Sequence, residues 1–289
     1  ASPSRCVLTV AAIVMALSGC VSRPTTTVLQ PVTLRQGAGE QVSILAVTNR
    51  TSDSKDQSFG NRWATDVHYD RFVFSVPTDR EGAAITYPSA KPDPKRQFIV
   101  TKREKLSLDA LVEDATRADR FDGTASIFVH GYNYSYQEAL FRTAQMSADA
   151  TSMSPPVMFS WPSAASVTGY VTDKDAVLYS RSQLDALIQA MAKAPKIKRI
   201  VLFGHSMGGF LSMEVARQLK LQRRDDVLAK LQIVLAAPDI DVDVFQSQLR
   251  DIGRLPNPIV LLVSKSANAL SVSSFIGGER PRVGLLNIE

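Results

Sequence analysis

The distribution of apolar positions divides the chain at about residue 125. Beyond that point short apolar runs alternate with stretches in which apolar or small residues recur every three or four positions. Ile127-Phe128-Val129 has the continuous apolar character of a strand covered on both faces. Tyr136, Leu140, Ala144 and Ser147 then fall on one stripe of a helix. The cycle repeats, with strands over 157–160, 199–203, 232–236 and 259–263, and helices over 177–191, 207–220 and 242–249. Strands that alternate with helices need crossover connections, so the spacing predicts an α/β fold with a doubly wound, mostly parallel sheet. In such sheets ligands and chemistry gather outside the carboxyl ends of the strands.

Before residue 125 the pattern changes. Residues 42–47 read as a strand, a polar loop runs through Gly60, and a second strand over 72–76 stops at Pro77. A Pro-rich basic loop over 87–96 leads to a short strand at 98–100, so the parallel sheet is expected to carry extra amino-terminal strands. Further upstream, Arg5 precedes an apolar run over 7–17, the length of a signal-peptide core and short of the ~20 residues that span a bilayer. The run ends in Leu17-Ser18-Gly19-Cys20, which resembles a bacterial lipobox, whose cysteine takes the lipid. The expected organisation is a lipoprotein signal peptide over 1–19, a lipidated Cys20 with a polar tether through residue 40, and one α/β domain over 41–289. The lipobox implies attachment to a membrane of the bacterial cell envelope through that anchor. Because the first residue is Ala and not Met, the sequence is expected to be incomplete at its beginning.

Composition narrows the chemistry. At 289 residues, 45% hydrophobic and 21% charged, the chain suits a globular protein with one core. The net charge of +5 includes a local surplus, six basic residues against two acidic ones between Lys91 and Lys105, so no nucleic-acid partner is expected. Both cysteines, Cys6 and Cys20, precede the domain, which therefore has no thiol for a disulfide, a zinc site or a cysteine nucleophile. The three histidines, His68, His130 and His205, include no pair at metal-ligand spacing. Asp239, Asp241 and Asp243 imitate a calcium loop, but Val244 and Arg250 stand where Gly and Glu are needed. No metal and no cofactor are expected.

The chemical signal is Gly204-His205-Ser206-Met207-Gly208, a Gly-x-Ser-x-Gly between a predicted strand and a predicted helix. A turn from strand to helix within one residue strains the backbone at Ser206, and the flanking glycines let the two elements approach. The hydroxyl is then exposed at the sheet edge beside a helix amino terminus. His130-Gly131-Tyr132-Asn133 follows the strand ending at Val129, where backbone amides can meet a developing oxyanion. The amides of Tyr132 and Met207 are the candidate donors.

With Ala46-Val47-Thr48-Asn49-Arg50, Phe159-Ser160-Trp161-Pro162-Ser163 and Ala236-Ala237-Pro238-Asp239-Ile240-Asp241, these segments resemble the α/β-hydrolase superfamily, and more closely a bacterial, often lipoprotein-type, esterase/lipase-like family of largely uncharacterised function. The resemblance runs from about residue 42 to 284 and implies an α/β-hydrolase fold with Ser206 as nucleophile. Two departures stand out. The superfamily order is serine, acid, histidine, and no histidine follows Ser206. Ala267 occupies the position where the resemblance places an acid, which leaves Asp239 as the candidate acid and Asp241 as second choice, both also suited to capping the next helix. His68 is a remote alternative base. One account is that the chain is cut short and its continuation carries the histidine; the other is that the triad is lost.

Three functions stay open: a serine hydrolase acting through an acyl-enzyme on Ser206, a non-catalytic envelope binding protein on the same fold, and an acyltransferase. Tyr132, Tyr134, Tyr136, Phe159 and Trp161 are expected to wall an apolar cleft for a small acyl or aryl ester.

Overall fold

The computed structural model describes residues 23–34, 39–53, 55, 57–80, 82, 84–118, 121–150, 154–263 and 281–285. Its strands are β1 (Gln41–Ser52), β2 (Phe59–Ser75), β3 (Ile99–Lys105), β4 (Thr124–Val129), β5 (Val157–Ser160), β6 (Arg199–His205), β7 (Leu231–Ala236) and β8 (Val260–Leu262). They form one eight-stranded sheet in the order β3-β2-β1-β5-β4-β6-β7-β8. β1, β2 and β3 pair antiparallel, and every pair from β1·β5 to β7·β8 is parallel. The doubly wound α/β arrangement with extra amino-terminal strands is therefore present.

Side-chain alternation along β1 shows how both faces are filled. Ile44 and Ala46 pack into a core under α2 (Tyr136–Asp149), whereas Leu45 and Val47 point into the larger core on the opposite face. That larger core takes side chains from α1 (Leu108–Asp114), α3 (Tyr170–Tyr179), α4 (Arg181–Lys193), α5 (Met207–Leu221), α6 (Asp225–Leu228) and α7 (Val242–Ile252). The helix starts follow from capping chemistry. Ser135 and Glu138 form a reciprocal capping box at α2, and Asp241 Oδ1 accepts from the Asp243 and Val244 amides at α7. No helix among the described residues is long and apolar enough to cross a membrane.

Three expectations are corrected. The polar loop expected through Gly60 ends at Phe59, where β2 begins; its first half pairs with the far end of β1 as a largely exposed ribbon and so lacks hydrophobic alternation. The single helix expected over 177–191 is two, α3 and α4, separated at Ser180. The Ser180 hydroxyl donates to Ala176 O at 2.8 Å and accepts from Asn49 Nδ2 at 2.9 Å, and such a back-bonded, buried serine bends a helix. The stretch read as a tether is packed over residues 23–34. Thr26–Leu29 form a 3₁₀ turn that buries Val28 and Leu29 in the α2-side core, and the Val32 amide donates to Val100 O. Cys20, the signal-peptide run and Ala267 lie outside the described residues.

Candidate active site

Ser206 joins β6 to α5 at φ 51° and ψ −119°, a conformation side-chain-bearing residues rarely adopt. Its surroundings hold it there. The Ser206 amide donates to Ala236 O at 2.9 Å, and its carbonyl accepts from the Gly209 and Asp239 amides at 3.0 and 3.1 Å. A Cβ on Gly208 would lie 2.2 Å from Val129 O and 2.5 Å from His130 O, and one on Gly204 would lie 2.7 Å from Gly208 O. Both glycines are therefore required for α5 to seat against the end of β4 and its own strand.

The turn after β4 meets the same point. A Cβ on Gly131 would be 2.9 Å from Ser206 Cβ and 2.8 Å from His205 Nδ1, so its backbone rests directly on the elbow. Tyr132 is the next residue, and Met207 is the first residue of α5. The Met207 N–H is one of the helix-start donors with no acceptor inside the helix, at the positive end of the helix dipole. The two amides expected to face an oxyanion thus belong to segments in contact at Ser206.

None of the three histidines is placed as a general base. His130 is fully buried and stacked on Trp161, with ring centroids 4.8 Å apart. Its Nδ1 lies 2.8 Å from Gly131 O, and its Nε2 lies 3.2 Å from both Trp161 O and Ser160 Oγ. Burial, reinforced by Arg50, depresses its pKa to about 3, so it is a neutral structural ring under the Gly131 turn. His205 turns toward Tyr134, and burial lowers its pKa as well. His68 lies on β2, four strand positions from β6, a lateral separation of about 19 Å at the usual strand spacing, and it packs on Phe59.

Asp239 and Asp241 part company. Asp241 caps α7, whereas Asp239 is buried next to the elbow, with its amide on the Ser206 carbonyl and its carboxylate 3.5 Å from Arg282 Nε. Arg282 is brought there by residues 281–285, where the Val283 and Gly284 amides donate to Ile240 and Pro238 carbonyls. Lys174 of α3 also enters this region. Its Nζ lies 3.7 Å above the Phe210 ring, and burial lowers its pKa against the pull of Asp239.

Sequence reasoning missed the supports of the Gly131–Asn133 turn. Arg50 is 1% exposed; its Nε donates to Ser160 Oγ at 3.0 Å, Nη1 to Gly60 O at 3.0 Å and Ser163 O at 3.2 Å, and Nη2 to Tyr134 O at 3.0 Å. Burial lowers even this guanidinium, to about 9. Asp173, also buried, accepts from Ser163 Oγ, the Ala164 amide and the Asn133 amide, and burial raises its pKa. Together they join β1 and the start of β2 to the loops that follow β4 and β5. A lone Arg ending an apolar strand was the available signal for Arg50; Asp173, ahead of the helix expected over 177–191, had none. The aromatic cleft is corrected: Tyr136, Phe159 and Trp161 are core residues, and only Tyr132 and Tyr134 remain half-buried near the edge.

No curated protein is significantly similar to this chain. Among solved structures, a putative hydrolase from Agrobacterium vitis S4 is 15% identical, with a TM-score of 0.27 over 72% of this chain and 56% of that one. Esterase Est22 with p-nitrophenol is 14% identical, with a TM-score of 0.27 over 68% and 45%. A predicted CIB-like hydrolase from Thermoplasma acidophilum is 15% identical, with a TM-score of 0.26 over 61% and 88%. This chain spans about half the length of the first two, and TM-scores this low add nothing about activity. The family model for "Alpha/beta hydrolase of unknown function (DUF900)" matches residues 110–289, which include β4, the elbow and Asp239. The chain belongs to that α/β-hydrolase family.

Proposed function

We propose that the protein is a lipid-anchored serine hydrolase of the bacterial envelope that cleaves a carboxylic ester through Ser206. The observation that carries the reading is the strained Ser206 backbone, held by glycines whose replacement would collide with the ends of β4 and α5. Strain retained at a strand-to-helix turn, against a glycine turn rich in amides, fits a nucleophile beside an oxyanion site. In the reaction Ser206 Oγ attacks the ester carbonyl while its proton passes to an imidazole base. The carbonyl oxygen takes the negative charge next to the Tyr132 and Met207 amides. Collapse breaks the acyl C–O bond, and the alcohol leaves with the proton. Water then adds to the acyl-serine, gives its proton to the same base, and frees the carboxylic acid and the serine.

The reading requires a histidine besides His68, His130 and His205, and Asp239 is the acid that would orient it. The placement of those three rings favours a second reading, a binding protein without turnover. Labelling by a fluorophosphonate, in protein expressed from the natural reading frame with whatever follows Glu289, separates the two. Wild type labels and Ser206→Ala does not if the serine is the nucleophile; equal labelling, or none in either, leaves the binding protein.

A further inference from the structure

We infer that the lipid anchor holds the catalytic edge of the sheet against the bilayer, so that Ser206 acts on an acyl bond presented at a lipid surface. The inference deepens the proposed hydrolase reading and rests on it for the word "acts"; the orientation rests on the anchor alone.

The first described residue of the chain is fastened to the rim of the candidate site. Arg23 Nη1 donates to Ala165 O at 2.7 Å, and Nη2 donates to Asn133 O at 3.0 Å and Asn133 Oδ1 at 2.6 Å. Glu138 lies 3.4 Å from the same guanidinium. The Pro24 carbonyl accepts from Gln137 Nε2 at 2.8 Å, and Val28 and Leu29 are buried behind it. Asn133 and Ala165 follow β4 and β5, so both contacts fall at the carboxyl ends of parallel strands, the edge that carries Ser206. Three peptide links separate Arg23 from Cys20, which limits the Cα–Cα distance to about 11 Å. Lipid on Cys20 therefore enters the membrane within that reach of this rim.

The rim itself suits an interface. Val167 and Val171 are 62% and 67% exposed, close in sequence to Ala165. The Val167 carbonyl accepts the Tyr132 hydroxyl, which ties this apolar lip to the turn beside Ser206. Exposed valines next to an acyl anchor add a second, orienting point of contact with the interface. A dissolved ester reaches any face of a tethered domain. A fixed edge-down orientation matters for a substrate that cannot leave the membrane.

The test uses the lipidated protein in vesicles of phosphatidylethanolamine and phosphatidylglycerol. Cys6 and Cys20 are the only cysteines in these 289 residues, one in the predicted signal peptide and the other blocked by lipid, so Val171→Cys and Lys196→Cys can each be labelled with a polarity-sensitive fluorophore and read against the unsubstituted protein. Lys196 precedes β6 and sits at the opposite edge of the sheet. The label at 171 is expected to shift to the blue and to be quenched several-fold more by headgroup-nitroxide lipid than the label at 196. Equal quenching, or none at 171, overturns the orientation. An amino-terminal peptide without lipid on Cys20 overturns it at its premise and leaves the serine reading standing.

The substrate class is tested with a flexible Gly-Ser spacer inserted between Ser22 and Arg23. Turnover of a long-chain ester in the vesicles is expected to fall several-fold relative to turnover of a short aryl ester in solution. An unchanged ratio overturns the lipid-surface substrate. No turnover of either ester by wild type overturns the hydrolase reading and with it the substrate class, while the quenching result still decides the orientation.

Discussion

The elbow at Ser206 and the turn at Gly131 touch, yet they are built by opposite means. The elbow is local. Its strain falls within five consecutive residues, and what permits its close approach to the end of β4 is the absence of side chains at Gly204 and Gly208. The Gly131 turn is held by side chains supplied from afar: Arg50 bonds Ser160 and Ser163 about 110 positions away, Asp173 bonds the Asn133 amide 40 positions away, and His130 stacks on Trp161. The first device fails by crowding and the second by leaving buried polar groups unmet. A site assembled from both needs the sheet to bring them together, which the parallel register of β4 with β6 does at Val129 and Gly204.

The strongest way to break the elbow is Gly208→Ala. Alanine is the better helix former by about 1 kcal/mol, so propensity alone would stabilise α5. The new Cβ, however, meets two backbone carbonyls at 2.2 and 2.5 Å, and neither can move without displacing the end of β4. The net expectation is a loss on the order of 4 kcal/mol or more, enough to endanger a fold worth roughly 5–15 kcal/mol. The urea midpoint measures it. A midpoint equal to or above that of wild type would remove the close approach from the account.

This contrast also explains what the sequence disclosed. Gly-x-Ser-x-Gly is legible because its geometry and its residues coincide within one turn. The alternation of strands with the longer helices from β4 to β7 was equally plain, since each of these strands buries apolar side chains. The supports of the Gly131 turn were not legible, because a hydrogen bond between residues 50 and 160 leaves no periodic trace in either neighbourhood. The division between α3 and α4 was hidden for the same reason: Ser180 reads as one more polar helix position until Asn49 is seen against it. The ribbon that opens β2 carries no alternation because little of it is buried. The aromatic residues misled in the other direction, since ring content alone does not separate a cleft wall from a core.

Arg50→Met attacks the distributed half of the comparison. Methionine keeps much of the apolar stem but leaves Ser160 Oγ, Gly60 O, Ser163 O and Tyr134 O without their guanidinium donor. Relief of the burial cost of a cation offsets part of this, so the expected loss is about 2–3 kcal/mol, smaller than at Gly208. Loosening should concentrate at the loops after β4 and β5. The near-ultraviolet circular dichroism of buried Trp161 should weaken at temperatures where the far-ultraviolet signal is intact. Arg50→Lys should restore little, because one ammonium cannot reproduce the planar fork that spans these acceptors. Full recovery with lysine would show that charge alone mattered and would shrink the contrast with the elbow.

The most discriminating test uses pH. His130 is held neutral in the fold, with its pKa depressed from the ordinary 6.5 to about 3 by burial, whereas an unfolded chain takes up a proton near 6.5. The unfolded state therefore binds more protons throughout that interval, and stability rises with pH across it. The contribution is complete above about pH 6.5 and is lost progressively as pH falls toward 3, with a slope of about 1.4 kcal/mol per pH unit. His130→Asn cannot titrate there. Whatever its absolute stability, its curve of unfolding free energy against pH should be flatter than that of wild type by about that slope, while His205 and the carboxylates contribute alike to both. Parallel curves would mean that His130 takes up its proton without unfolding the turn. The ring would then be a mobile group within reach of solvent at Gly131, and the rigidity assigned to that side of the comparison would go with it.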